Sequence, residues 1–196
     1  MTMADAPAGG LRAVVIGASA GGIQALSHIL PLLPEGYPMP VLVVIHMPAD
    51  GGNVLAPLFQ KKCRLSVREA EDKEPATPGT IFFAPPGYHM LVEAEGTLAL
   101  SSDEPVLHSR PSIDVLLESA ADAFDEQVIG VILTGASPDG ARGLRAIADA
   151  GGIAIVEDPS AAYASAMPLA ALDLCPTAMV LSLDAIGAFL RDIGGE

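Results

Sequence analysis

The segment VLVVI at 41–45 sets five branched aliphatic residues in an unbroken row. A strand that does not alternate polar with apolar is buried on both faces, so helices must cover it above and below. Other apolar runs of strand length, RAVVIG at 12–17, VIGVILTG at 128–135 and GIAIVED at 152–158, are followed by stretches of helical or loop character. After the first run, Ile23, Leu26, Ile29, Leu30 and Leu33 mark one face of a helix over 21–33. Strands alternating with helices predict βαβ units and a parallel sheet.

The same pattern predicts helices at NVLAPLFQKKC (53–63), PSIDVLLESAADAF (111–124), PDGARGLRAIADAG (138–151), near 167–174 and over 184–191, with a last strand at AMVLS (178–182). Between 65 and 102 the texture changes to short β-like pieces, SVREA, TIFFAP, YHMLVE and TLALS, punctuated by Pro and Gly. These are expected to be strands and hairpins, some antiparallel, inserted into the winding. The fold class is therefore α/β: a doubly wound, mainly parallel sheet with helices on both faces and a short antiparallel hairpin insertion.

A length of 196 residues suits one domain with a full core. We expect a flexible arm over 1–10 and a single catalytic domain over 11–196. Aromatics make up 4% and Trp is absent, so apolar mass comes from Ala, Val, Ile and Leu. The formal net charge of −14 disfavours nucleic acid and anionic bilayers as partners. The opening MTMADAPAGG lacks a basic region followed by an apolar core, and so does not read as a signal peptide. The longest apolar stretch, at 39–47, is far short of the roughly 20 residues of a membrane span and is broken by Pro40 and His46. A soluble, cytoplasmic chain without membrane insertion is expected. Cys63 and Cys175 fit no metal spacing and read as free thiols of a reducing compartment.

In open α/β sheets, function gathers beyond the carboxyl ends of the strands. Three chemically complementary side chains fall there: Ser19 in the turn GASAGG, His46 at the end of the second strand, and Asp139 in GASPDG. A serine hydroxyl is a weak nucleophile until a base takes its proton, and the imidazole needs an acceptor to fix its tautomer. Glycines around Ser19 permit a sharp strand-to-helix turn whose N–H groups can meet a developing oxyanion. A strand, glycine turn and helix also occur in nucleotide-binding folds. The glycines here, however, follow G-x-x-x-G-G rather than G-x-G-x-x-G, and the second strand ends in His46 and Met47 without an acid to hold a ribose.

Several segments together carry a more specific resemblance: VVIGASAGG, HMP at 46–48, PGTIFFAPPGYHM, SRPSID at 109–114, GVILTGASPDGARGL at 130–144 and ASAMPLAAL at 164–172. Their order resembles the catalytic domain of the chemotaxis protein-glutamate methylesterases, over nearly all of 12–190. The resemblance implies a doubly wound sheet distinct from the α/β-hydrolase fold, with Ser19 as nucleophile, His46 as base and Asp139 as orienting acid. It implies hydrolysis of glutamate γ-methyl esters on chemoreceptor cytoplasmic helices, with methanol released, and deamidation of receptor glutamines through the same acyl-enzyme. No cofactor and no metal are called for.

Three neighbours depart from the family's usual pattern: Ile45 where Gln is frequent, Ala20 where Thr is frequent, and Ala136 where Met is frequent. The backbone N–H groups of Ala136 and Ala20 are the candidate oxyanion donors, and Arg110 is a candidate to hold a substrate carboxylate or main chain. Asp114 reads as a first-turn helix carboxylate, and Ser112 and Ser137 as cap and turn residues. His28, His89 and His108 lack partners at metal spacing. Many family members carry a receiver domain ahead of the catalytic one, and nothing upstream of Leu11 resembles it. We expect an enzyme that is either constitutively open or controlled by a separate regulatory protein, and a piece of a longer protein would look the same. On the residues alone two other readings stay open: a non-catalytic module that binds receptor or methyltransferase, and an esterase outside chemotaxis.

Overall fold

The computed structural model describes residues 12–47 and 54–194. The expected arm over 1–10 lies outside them. In chain order the elements are β1 (Ala13–Ala18), α1 (Gly22–Ile29), β2 (Val41–Ile45), α2 (Leu55–Gln60), β3 (Ser66–Glu69), β4 (Thr80–Phe83), β5 (His89–Val92), β6 (Leu98–Ser101), α3 (Ile113–Phe124), β7 (Val128–Ile132), α4 (Ala141–Asp149), β8 (Ile153–Glu157), α5 (Ala166–Leu174), β9 (Met179–Leu181) and α6 (Leu183–Ile193). Short 3-10 turns follow α1 and α3.

Seven strands form one sheet in the order β3-β4-β2-β1-β7-β8-β9, and every pairing within it is parallel. The chain passes from β1 to β2, skips one position to β3 at the edge, comes back to β4 between β3 and β2, then crosses to β7 on the other side of β1 and winds outward through β8 and β9. The direction of winding reverses beside β1, which leaves the crevice that such sheets use for function. The β5–β6 hairpin is antiparallel and stands apart from this sheet. The doubly wound reading thus holds, with one correction in detail. SVRE and TIFF are parallel members of the main sheet, and only the HMLV and LALS pieces make the inserted hairpin. Short strands of this kind do not reveal their partners locally, because pairing is settled by distant chain.

Alternate residues of each central strand feed two separate cores. Val14, Ile16, Val41, Val43, Ile129 and Val131 pack under α1, α2 and α6, with Leu26, Ile29, Phe59, Ile186 and Leu190. Val15, Leu42, Val44, Val128 and Ile132 pack under α3, α4 and the hairpin, with Leu116, Leu144, Ile147 and Met90. Each fully buried aliphatic side chain contributes about 1.5–3 kcal/mol. Strands apolar on both faces therefore go to the interior of the sheet, as β1, β2 and β7 do. Cys63 and Cys175 are unpaired thiols. Among the described residues no helix is long and apolar enough to cross a membrane.

Candidate active site

Ser19, His46 and Asp139 come from the carboxyl ends of three adjacent strands. Ala18 of β1 pairs with Ile45 of β2, so Ser19 and His46 stand one step beyond the last paired residues of neighbouring strands. The His46 N–H donates to the Ala18 carbonyl at 3.1 Å, and the Ser19 N–H donates to the Thr134 carbonyl at 2.9 Å. The nucleophile candidate is thereby tied to the strands on both sides. The chain then turns into α1 through Gly21, whose φ of +82° lies in the left-handed region. A Cβ there would also lie 2.7 Å from Tyr163 Cβ and 2.9 Å from its ring. The glycine turn is a steric requirement as well as a conformational one.

His46 Nε2 and Asp139 Oδ2 lie 2.8 Å apart, with the histidine side chain 13% exposed and the aspartate 0%. The partners fix the tautomer: Nε2 carries the proton and donates it to the carboxylate, leaving Nδ1 as the basic nitrogen. Ser19 Oγ has no hydrogen-bond partner among the described residues. A long or absent nucleophile–base bond is common where substrate is not bound.

Asp139 is held on every side. Oδ2 accepts also from the Ile113 N–H at 2.7 Å, and Oδ1 accepts from the Asp114 N–H at 3.0 Å and from Ser112 Oγ at 2.8 Å. Ile113 and Asp114 are the first residues of α3, and Ser112 is its N-cap. The carboxylate therefore sits on the positive end of a twelve-residue helix, where free N–H groups and the helix dipole favour an anion. Burial pushes the Asp139 carboxyl upward, but the bonds from His46, Asp114, Ile113 and Ser112 outweigh it and hold the group below its ordinary value.

A further layer lies behind Ser112. His89, on β5 and 2% exposed, accepts from the Ser112 N–H through Nδ1 at 3.1 Å, and its Nε2 lies 3.2 Å from the Glu104 carbonyl it donates to. Asp114, 1% exposed, faces the start of α4. On the serine side, Thr134 Oγ1 donates to the Ala20 carbonyl at 2.8 Å, and the Thr134 N–H donates to buried Glu157 at 2.7 Å. Burial, helped by neighbouring Asp158, raises the Glu157 carboxyl despite that backbone bond.

The other expected groups fare unequally. Ala136 is exposed in the loop after β7, and its N–H and that of Ala20 have no acceptor among the described residues, which keeps both available as donors. Arg110 lines a cleft of about 320 Å³ together with His46, Met47, His108 and Pro111. Its Nη1 donates to the Ser102 and Asp103 carbonyls at 2.9 Å, so part of the guanidinium shapes the loop, while its buried Nε has no partner among the described residues. His28 pairs with Asp184 at the surface, away from the triad. Among the described residues no cluster of three His, Cys, Asp or Glu could hold a metal ion. Sequence reasoning gave Ser112 a cap and Asp114 a dipole role. Their position in SRPSID, at a helix start, was the only signal that they meet Asp139.

Residues 14–190 match the family model described as CheB methylesterase. The chain belongs to the CheB methylesterase family. A Leptospira interrogans relative, which bears the methylesterase/glutaminase name provisionally, is 44% identical over 181 residues, covering 92% of this chain and 94% of its own. The protein-glutamate methylesterase/protein-glutamine glutaminase of Symbiobacterium thermophilum is 42% identical over 184 residues, and there this chain spans 51% of the relative's length. Among solved structures, the CheB methylesterase catalytic domain of Thermotoga maritima superposes with a TM-score of 0.88 at 34% identity, over 93% of this chain and 98% of the other. Both the doubly wound sheet and the family resemblance of the sequence motifs are thus borne out across the catalytic unit.

Proposed function

We propose that this chain is a serine hydrolase that cleaves glutamate γ-methyl esters on the cytoplasmic helices of chemoreceptors and deamidates receptor glutamines at the same site. The observation that carries this reading is the 2.8 Å contact of His46 Nε2 with Asp139, with His46 in register with Ser19 on the neighbouring strand. The names of the relatives, protein-glutamate methylesterase/protein-glutamine glutaminase, support the substrate class. Residues 11–196 act as a single catalytic domain, working in the cytoplasm where receptor helices are exposed.

In this mechanism His46 Nδ1 takes the proton from Ser19 Oγ as the oxygen attacks the γ-carbonyl carbon of the ester. Asp139 holds the imidazole through Nε2 and stabilises its positive charge. The backbone N–H groups of Ala136 and Ala20 receive the tetrahedral oxyanion. The intermediate collapses, the C–O bond to methoxide breaks, and His46 returns the proton so that methanol leaves. Water, deprotonated by the same nitrogen, attacks the acyl-serine and releases the free glutamate. With a glutamine side chain the leaving group is ammonia, and the acyl-enzyme is the same species. Arg110, beside His46 in the cleft, holds the main chain or a carboxylate of the receptor helix.

Methanol release from a methylated receptor fragment tests the reading directly. Wild type is expected to release methanol and Ser19→Ala to release none above background. Equal release from both would overturn it.

A further inference from the structure

Asp114 does more than its position in a first helical turn requires. A solvated carboxylate would serve the dipole of α3, yet Asp114 is 1% exposed. Taking a charge out of water costs several kcal/mol unless donors replace the water. Three do so: the Gly140 N–H and the Gly143 N–H, both 2.9 Å from Oδ1, and Arg142 Nε, 3.0 Å from Oδ2. The two glycine donors are the N-cap of α4, Gly140, and the third residue of that helix, Gly143.

The two aspartates therefore exchange caps. Asp139 receives the first N–H groups of α3, including that of Asp114 itself, and Asp114 receives those of α4. Helix α4 has no cap of its own, because its N-cap position is Gly140, at a φ of +100° and without a side chain. Gly143 lets the exchange close: a Cβ there would lie 2.6 Å from Leu117 Cβ and 3.0 Å from the Asp114 carbonyl oxygen. The result is a short hydrogen-bonded ring. It runs from the Asp139 carboxylate to the Asp114 N–H, through the Asp114 side chain to the Gly140 N–H, and back along one peptide bond to Asp139. Both the backbone and the carboxylate of Asp139 are thus fixed to one residue.

We propose that Asp114 is a positioning residue for the hydrolysis, setting the direction from which Asp139 meets His46 Nε2. It touches neither substrate nor reacting atoms, and the inference rests on the triad as read above. Its basis is the pair of backbone bonds to Gly140 and Gly143 rather than the ion pair with Arg142, whose side chain is 59% exposed and also reaches Glu118 at 3.8 Å.

The test uses the full chain, a methylated receptor fragment as substrate, and the ¹H NMR signal of the His46 Nε2 proton, which reports its bond to Asp139. In Asp114→Ala, kcat is expected to fall about 10–100-fold, the cost of a misplaced catalytic group, with KM within about twofold. The Nε2 proton should move upfield or broaden. Asp114→Asn keeps an oxygen for both glycine N–H groups and should recover kcat to within about threefold of wild type, with the proton signal restored. An Asp114→Ala chain that folds and keeps wild-type kcat or an unchanged proton signal overturns the proposal, as does an Asn variant no better than Ala. If the Ala variant does not fold, Asp114→Asn and Asp114→Glu decide. Asn near wild type with Glu impaired, its carboxylate displaced by one methylene, supports the proposal, and any other ranking overturns it. Asp139→Asn run alongside separates the two levels. Wild-type kcat in Asp139→Asn would sink the triad reading itself, whereas its loss together with unaffected Asp114 variants would sink only this inference.

Discussion

Asp139 and Ser19 occupy opposite ends of the same constellation and are built in opposite ways. The aspartate is fully buried and meets four donors, two from the backbone of α3 and two from the side chains of Ser112 and His46. The serine is held only by its main chain, through Thr134 and Gly22, and its hydroxyl has no partner among the described residues. An orienting group needs one geometry throughout a reaction, and fixing it in advance removes that cost from the barrier. A nucleophile changes partners, from base to acyl carbon and back, and a strong ground-state bond would hinder it.

The largest effect expected from this contrast is catalytic loss without structural loss. Ser19→Ala should lower methanol release by about 10⁴-fold or more while leaving the urea midpoint unchanged. A clear drop in stability would show that the serine end is tied down after all. Next comes Asp139→Asn, with a loss of about 10³–10⁴-fold in kcat and, unlike the serine variant, about 1–3 kcal/mol of stability, because an amide cannot accept all four donors. The folded-state carboxyl of Asp139 is depressed, so its contribution to stability is present above the unfolded value of about 3.9 and is lost as pH falls through the folded value. Urea midpoints measured against pH should accordingly fall on the acid side in wild type and fall less in Asp139→Asn.

Ser112→Ala removes one of the four donors and the N-cap of α3 together. It should cost about 1 kcal/mol of stability and reduce kcat about three- to tenfold, measured by urea unfolding and methanol release. The smallest effect is expected on the serine side. Glu157 supports the backbone there by accepting from the Thr134 N–H, and its carboxyl is raised by burial. A raised carboxyl contributes stability below its unfolded value of about 4.3 and loses it as pH rises through the folded one. Glu157→Gln keeps an acceptor for Thr134, so at pH 8 it should leave kcat unchanged and leave stability equal or higher by up to about 1 kcal/mol.

The central strands were legible in the sequence, and the proposed triad was read from the same feature. VVIGA, VLVVI and VIGVI are apolar without alternation, which places them at the sheet centre, and Ser19, His46 and Asp139 each follow such a run. The outer strands β3 and β4 were not placed, because four-residue runs carry no record of their partners. The exchange between Asp114 and Asp139 was hidden for a related reason. It exists only where α3 packs on α4, and a local reading of SRPSID finds an ordinary cap. Arg110 is a candidate on the sequence, but the two loop carbonyls on its Nη1 depend on how residues 102–110 fold back, which no periodicity records.

The β5–β6 hairpin contributes no strand to the catalytic sheet, yet His89 on it grips the residue that caps the helix under the orienting carboxylate. An inserted hairpin is thereby tied to Asp139 through two hydrogen bonds. On the proposed mechanism, a change in this peripheral hairpin alters turnover while Ser19, His46 and Asp139 stay as they are.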